Sequence, residues 1–488
     1  MSERFPYFGW SDSNQESIED LLRYFYETSG SVFGKLKTKS SPSGISIVVA
    51  PKGAGKTQLR RILAHEASDD HDIAWEIDQN FGRQISDIET KGPAQIKREL
   101  SGILLTGITA KLLMDASLGA KVGAQWKEKA KEIFDRVGGV VKGLGAAGIS
   151  VDLDLTMIFR DKEPKFDQAP VEKYQEVLNN LLSDRRAYIL IDDVDEIFRQ
   201  AYTSPKIVEG LLRAAVELNI KFRDRMHVIV FLKAGLYAAY FQKAQAHNEI
   251  RDHVGFLRWR EREIVDLLAR RISKNSQLAQ PYQTTDELWS LEFDSNGASM
   301  GELQQYMTAR CNSGPRDLIY LANDAKKLAG DAKITIEHIK AAESGYFTEK
   351  IQLINADYGQ AYPGLDELIT TVFTGKETEY SREDFEAFVR NNVVQNDDFA
   401  RHEPFRSWVR FAPERRLISV FYEMGLIGFS TGSGQDYTYV MSRPNPGDFE
   451  NRATSYRIHP AYSLGLQLHL SRPTASCNPA NARVPTSP

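Results

Sequence analysis

Four short runs of apolar and β-branched residues stand out in the first half of the chain: Ile45–Val49, Ile73–Ile77, Ala187–Ile191 and Met226–Leu232. Each is short, apolar on both faces or nearly so, and rich in residues that favour strands, so each predicts a buried strand. Between them the spacing changes to that of helices. Leu59, Ile62 and Leu63 follow the first run, Val171–Leu182 precedes the third, and Ser204–Leu218 precedes the fourth. Strands alternating with helices predict an α/β domain on a parallel sheet.

Elsewhere the pattern is different. Residues 1–44 carry the aromatic cluster Phe5, Tyr7, Phe8 and Trp10 and then an amphipathic helix, Ile18–Tyr26. The cluster either covers a bound base or closes over the end of a core. From 81 to 169 the chain leaves the strand–helix rhythm. That stretch holds a helix candidate (Ile96–Leu113), a Lys/Glu helix (Trp126–Phe134), a Gly-rich run (Gly138–Gly148) and an alternating segment (Val151–Ile158), so it is expected to be a mostly helical insert. In Leu257–Ile272 the apolar positions 264, 267, 268 and 272 define one buried helical face, with arginines on the rest.

In the last third, helices are expected at Ser381–Arg390, Pro404–Arg410 and Pro413–Met424, the last ended by Gly425. A hairpin of Leu426–Ser430 and Asp436–Met441 around Thr431–Gly434 should follow. Three helices and a hairpin resemble a winged helix. The Pro-rich run Ser471–Pro488 is expected to be disordered. The resulting division is 1–44, a core of 45–80 and 170–240, the insert 81–169, a helical lid 241–345, a winged-helix-like domain 346–470 and a tail 471–488.

Composition narrows the classes without choosing among them. A length of 488 residues suits roughly three domains. The net charge of −5 argues against a chain that is basic overall. Cys311 and Cys477 are the only cysteines, so neither a disulfide framework nor a cysteine metal site is expected. The start of the chain has no signal-peptide pattern, and no apolar run has the length of a spanning helix. The expectation is a cytoplasmic protein.

The chemistry concentrates where the first strand breaks. Ala50-Pro51-Lys52-Gly53-Ala54-Gly55-Lys56-Thr57-Gln58 reads as a phosphate-binding loop that opens a helix. Gly53 and Gly55 let backbone N–H groups close around a β-phosphate, Lys56 reaches the β- and γ-oxygens, and the Thr57 hydroxyl is a ligand for Mg2+. The helix adds the positive end of its dipole. Ala50 stands where the pattern has its first glycine, a position that turns the chain without touching phosphate.

A second signature follows the third strand, which ends in Asp192-Asp193-Val194-Asp195-Glu196. Asp192 is the candidate for the Mg2+ shell. Asp193 is the carboxylate expected to polarise an attacking water, with Asp195 and Glu196 as alternatives. Lys233 closes the fourth strand, where a polar group faces a γ-phosphate.

Together these motifs resemble the additional-strand division of P-loop ATPases, close to its AAA+ and STAND groups. Ser313-Gly314-Pro315-Arg316-Asp317-Leu318 resembles the turn that opens a lid helix in those families, with Arg316 as the residue directed at the core. The position of the insert resembles that of the KAP group. The resemblance covers roughly residues 40–80 and 170–345. It implies a P-loop NTPase fold, ATP and Mg2+ as ligands, hydrolysis, homo-oligomers, and an arginine finger; Arg251 and Arg258 are candidates against the alternative of a solvated helix face, and Arg316, at a helix start facing the core, is the better one. Two departures, Asp193 in place of glutamate and Lys233 in place of a neutral sensor, lean toward a slow, nucleotide-controlled switch. The implied setting is bacterial stress or defence signalling through an effector protein. The competing expectation is DNA association, as in a loader or regulator, through Arg401, Arg406, Arg410, Arg415 and Arg416.

Overall fold

The apolar runs form the strands that their composition predicts. The computed structural model describes residues 7–12, 14–26, 32, 36, 44–77, 91–114, 171–192, 194, 205–241, 247–312, 314–359, 362–410, 412–432, 436–440 and 452–469. In chain order the first elements are α1 (Ile18–Tyr24), β1 (Ile47–Ala50), α2 (Lys56–Asp69), β2 (Ile73–Ile77), α3 (Pro93–Met114) and α4 (Val171–Leu181). Then come β3 (Ala187–Ile191), α5 (Pro205–Lys221), β4 (Met226–Lys233), α6 (Ala234–Phe241), α7 (His247–Ile250) and β5 (Val254–Phe256). The five strands make one parallel sheet in the order β2-β3-β4-β1-β5.

This order decides the fold. β4 lies between the strand that leads into the Gly-rich loop and the strand that ends in acids, as in additional-strand P-loop NTPases. Because every strand runs the same way, the loops after β1, β3 and β4 all open at one edge, where α/β sheets bind their ligands. Register carries Ala50 beside Lys233 and Ile77 beside Ile191.

One segment assigned to the insert belongs to this core. In α3, Ile96, Leu100, Ile103, Leu104, Leu105 and Ile108 are all buried with the sheet residues and with Leu211 and Ala215 of α5. A helix that is apolar on nearly every side has no wet face to show, so it sits inside a domain. Gly107 lets it lie on Trp75: a Cβ there would come within 2.1 Å of the indole. The rest of the expected insert, including the Lys/Glu helix, the Gly-rich run and the alternating segment, falls outside the described residues, as does the tail.

After β5 come α8 (Glu261–Asn275), α9 (Thr285–Glu292), α10 (Met300–Thr308), α11 (Pro315–Ala329) and α12 (Ile336–Tyr358). Their starts are written locally. Thr284 with Glu287, and Ser299 with Glu302, form capping boxes at α9 and α10, and Pro315 takes the first turn of α11. The expected buried face of α8 holds, with Ile264, Leu267, Leu268 and Ile272 all buried.

The contacts divide the chain into two compact units, Met1–Tyr346 with Tyr422–Gly425 and Thr438–Gly447, and Phe347–Phe421 with Leu426–Tyr437 and Asp448–Pro488. The second contains α13 (Leu365–Phe373), β6 (Glu379–Ser381), α14 (Arg382–Val389), α15 (Asp397–Ala400), α16 (Arg406–Val409), the greater part of α17 (Glu414–Glu423), β7 (Ile427–Ser430) and β8 (Ser455–Ile458). Its aromatic core joins Phe373, Phe385, Phe388 and Phe421, with Tyr456 against Phe385.

The hairpin expected from the sequence is corrected here. β7 pairs with Ser455–Ile458 instead of Asp436–Met441, and β8 also pairs with β6, giving the antiparallel order β6-β8-β7. Tyr456 and Ile458 are buried and alternate with less buried neighbours, which suits a central strand whose two edges are both hydrogen-bonded.

Candidate functional site

The Gly-rich loop owes its shape to two residues without side chains. Gly53 and Gly55 have φ of 83° and 98°, in the left-handed region that glycine enters without strain. Gly55 is the N-cap of α2, so Lys56 and Thr57 begin the helix and the first backbone N–H groups point back into the loop. Lys56 is 8% exposed, and its Nζ donates to the carbonyls of Ala50 at 3.1 Å and Pro51 at 3.0 Å. The ammonium thus lies inside the turn, at the end of β1.

Thr57 and Asp192 meet across the sheet edge. Thr57 Oγ1 donates to Asp192 Oδ2 at 3.0 Å, and Asp192 is 3% exposed. A hydroxyl and a carboxylate side by side are hard oxygen donors of the kind Mg2+ accepts, and Mg2+ needs only one or two such protein ligands. The donor set fits that ion. Among the described residues no group of three or more His, Cys, Asp or Glu is arranged for a metal. Asp193, Asp195 and Glu196 lie outside the described residues. Lys233, the last residue of β4, stands beside Ala50 in register, and so at the loop's edge of the sheet.

The helical segment that follows the sheet reaches this loop from its outer side. Trp259 donates its indole N–H to the Ala54 carbonyl at 2.9 Å, and the Arg316 backbone N–H donates to the Gly53 carbonyl at 3.4 Å. Gly314, with φ of 121°, comes so close that a Cβ would stand 3.2 Å from Ala54 Cα. These contacts hold the Gly53 and Ala54 carbonyls from the segment after the sheet, while the Ala54 N–H donates to the Pro51 carbonyl at 3.4 Å within the loop. The Arg316 side chain does something other than the sequence suggests. Its Nε donates to the Ser11 carbonyl at 3.2 Å and its guanidinium pairs with Asp12 at 3.7 Å, so it binds the N-terminal segment.

That segment is threaded among α8, α9 and α11. Asn323 accepts from Phe8 N at 2.9 Å and donates to the Gly9 carbonyl at 2.9 Å. Arg271 donates to the Phe8 carbonyl at 2.7 Å and to Glu16 at 3.0 Å. Phe8 is fully buried and stacks on Phe293, while Tyr7 bonds to Glu292. Tyr7 and Phe8 therefore pack on α9 and α11. Burial pushes the Glu16 carboxyl above its ordinary range, and the neighbouring Arg271 pulls the other way without cancelling that effect. Arg61 of α2 donates to the Glu16 carbonyl at 2.9 Å, tying the same segment to the helix that carries the loop.

Two residues of this neighbourhood were not singled out from the sequence. Arg60 lies three positions after Thr57, the spacing of neighbours on one helix face, and its Nε is 3.2 Å from Glu76 and 3.9 Å from Asp192. Glu76 is the one acid in the otherwise apolar β2, which was the available signal. Trp259 gave none, since an indole in an Arg-rich stretch has no distinctive spacing. Of the arginines considered for a finger, Arg258 lies over the Phe256 ring at 5.1 Å and Arg251 is exposed in the turn before β5.

Two of the five arginines of the expected basic patch stand beside acids. Arg401 pairs with Asp397 at 3.0 Å and Arg415 approaches Glu386 at 3.6 Å. Arg416 donates to the Tyr362 hydroxyl at 3.4 Å, and Arg406 and Arg410 are exposed. No described helix is long and apolar enough to cross a membrane.

Known proteins resemble parts of this chain. Residues 262–355, from α8 into α12, match the family described as the FunZ-associated C-terminal helical domain. An 80.3 kDa protein of Escherichia coli (strain K12), named after transposon gamma-delta, is 23% identical over 310 residues, or 60% of this chain and 43% of that protein. The chain therefore spans less than half the length of this relative. The solved structure of the Aeropyrum pernix ORC2 protein, in complexes with ADPNP and ADP, aligns over 94% of this chain and 93% of its own at 12% identity and a TM-score of 0.33. The strand order β2-β3-β4-β1-β5, with the Gly-rich loop after β1, is that of a P-loop NTPase.

Proposed function

We propose that this chain is a P-loop ATPase that binds ATP with Mg2+, hydrolyses it slowly and acts as a nucleotide-controlled, self-associating switch. The observation that carries the reading is the meeting of Thr57 and Asp192, 3.0 Å apart at the ends of different elements, beside a lysine buried in a glycine turn. In this reading the N–H groups of Gly53 to Thr57 bind the β-phosphate, Lys56 exchanges its carbonyl partners for phosphate oxygens, and Thr57 and Asp192 hold Mg2+. The ion, when bound, neutralises charge that develops on the transferred phosphoryl group. Asp193 orients the attacking water, and Lys233 at the strand tip senses the γ-phosphate. An arginine from a second copy, Arg251 or Arg258, completes the site.

The lid would report the nucleotide. The Gly314–Arg316 turn and Trp259 touch the loop, and Arg316 carries that contact to the N-terminal segment, from which an effector protein in stress or defence signalling could read it. The test is nucleotide binding by Lys56→Ala, with a loss of roughly 100-fold expected when a charged donor is removed from phosphate. Unchanged affinity would overturn the assignment. Asp193→Asn should keep ATP binding and lose about 100-fold or more in turnover. Wild-type turnover would move the base to Asp195 or Glu196.

A second reading, DNA association, has one observation in its favour. The second unit runs helix, strand, helices, strand, strand, with the last strand central, which supports a winged helix. The ion pairs of Arg401 and Arg415 weigh against it. A gel-shift titration decides, because a phosphate-binding patch must lose affinity steeply as salt rises.

A further inference from the structure

We propose that Arg60 is a positioning residue that sets how readily the Thr57–Asp192 pair accepts a divalent cation, by passing its charge between Asp192 and Glu76. The inference rests on the reading of that pair as part of a Mg2+–nucleotide site. Its basis is the placement of three charges. β2 and β3 are neighbours in register, so Glu76, opposite Leu190, and Asp192, just past Ile191, both emerge at the ligand edge of the sheet. Arg60 rises from α2 between them, 3.2 Å from Glu76 Oε2 and 3.9 Å from the Asp192 Oδ2 that accepts from Thr57.

The geometry is that of a shared counter-ion. Arg60 Nε is buried and makes no hydrogen bond of good geometry with either acid. A buried donor left without one is costly, so Coulomb attraction to two carboxylates is what holds it there. The two acids differ in what they need. The Asp192 side chain is 2% exposed and the Glu76 side chain 41%, so water disperses the charge of Glu76 and hardly that of Asp192. Asp192 therefore gains most from a cation at close range.

Arg60 and a divalent ion would compete for the same oxygen. At 3.9 Å from Asp192, Arg60 offsets part of that carboxylate's charge without hydrogen-bonding it and so weakens its hold on stray cations. When a phosphate-bound ion claims Asp192, Arg60 withdraws toward Glu76, which gives the displaced cation a partner close by. Glu76 thereby lowers the cost of loading the site without touching the ion.

This arrangement gives opposite effects for its two members, which a merely structural ion pair would not. The experiment measures binding of ATPγS to the full chain across a Mg2+ series and reads the Mg2+ concentration at half-saturation. Arg60→Gln removes the competitor and should lower that midpoint, by roughly fivefold for a screened charge at this distance. Glu76→Gln strands Arg60 on Asp192 and should raise it by a similar factor. The double variant should follow Arg60→Gln, since Glu76 acts only through Arg60. Arg60→Lys, which keeps the charge, should stay near the wild-type midpoint and serves if the glutamine variant does not fold. Midpoints that move in the same direction in the single variants, or stay put while the wild type binds, overturn the proposal. Failure of the wild type to bind ATPγS at any Mg2+ concentration would instead overturn the underlying site.

Discussion

At the scale of residues, the site divides into groups that local sequence announces and groups that only three-dimensional proximity reveals. Lys56 and Thr57 follow their glycines within one turn, and Asp192 ends an apolar run, so each is legible from its own neighbours. Trp259 is 205 residues from the Ala54 carbonyl it binds, and nothing in Leu257–Arg262 marks it. Arg60 needs Glu76 and Asp192 from two separate strands to acquire its meaning. Arg316 was legible as the opening of a lid helix, but the acceptor of its side chain lies 305 residues away at Ser11. Trp259→Phe keeps the ring and deletes one neutral hydrogen bond, so ATPγS affinity is expected to fall by about three- to tenfold. Because the indole acts on the loop and not on the cation pair, the loss should be the same at every Mg2+ concentration. A loss confined to high Mg2+, or none, would mean that the bond does not position the loop.

At the scale of elements, packing and long-range anchoring explain what the patterns missed. α3 reads as a helix of an insert, yet its apolar side chains extend around the helix and meet the sheet through Trp75. Gly107→Ala would drive a methyl group into that indole, and overpacking of this kind costs about 1–3 kcal/mol, visible as a lower denaturant midpoint. The N-terminal segment is anchored by Arg271 and Glu16, whose side chains are 4% and 1% exposed. Breaking such a pair from one side leaves a buried charge alone, so Arg271→Ala should cost about 3–5 kcal/mol. The pair also carries a pH dependence. Burial raises the Glu16 carboxyl, so between its ordinary range and the raised value the folded chain binds a proton that the unfolded chain lacks. Stability is then highest below that window and declines as pH rises through it. Glu16→Gln should flatten this slope in urea titrations across mildly acidic pH.

At the scale of the whole molecule, the division into two units has a thermodynamic consequence. The first holds the Gly-rich loop, Asp192, Lys233 and the turn at Gly314, and the second has its own aromatic core around Phe373 and Phe385. The parallel sheet was legible because each strand is a continuous apolar run, whereas the small antiparallel sheet was not. β8 is separated from β7 by the stretch 431–454, and its alternating pattern competes with that of the nearer tyrosines of 436–441. A ligand that binds one folded unit stabilises that unit by RT ln(1 + [L]/Kd), about 2.7 kcal/mol at a hundredfold excess over Kd. ATPγS with Mg2+ should therefore raise the transition that unfolds the sheet and lid, followed by the near-ultraviolet signal of Trp75, Trp259 and Trp289. The transition of the second unit, followed through a fluorophore placed at exposed Arg401, should stay where it is. If both transitions rise together, the nucleotide is coupled to the second unit, as a switch that delivers its signal through that unit requires. If only the first moves, the nucleotide stabilises the unit that holds the Gly-rich loop and is not coupled to the second.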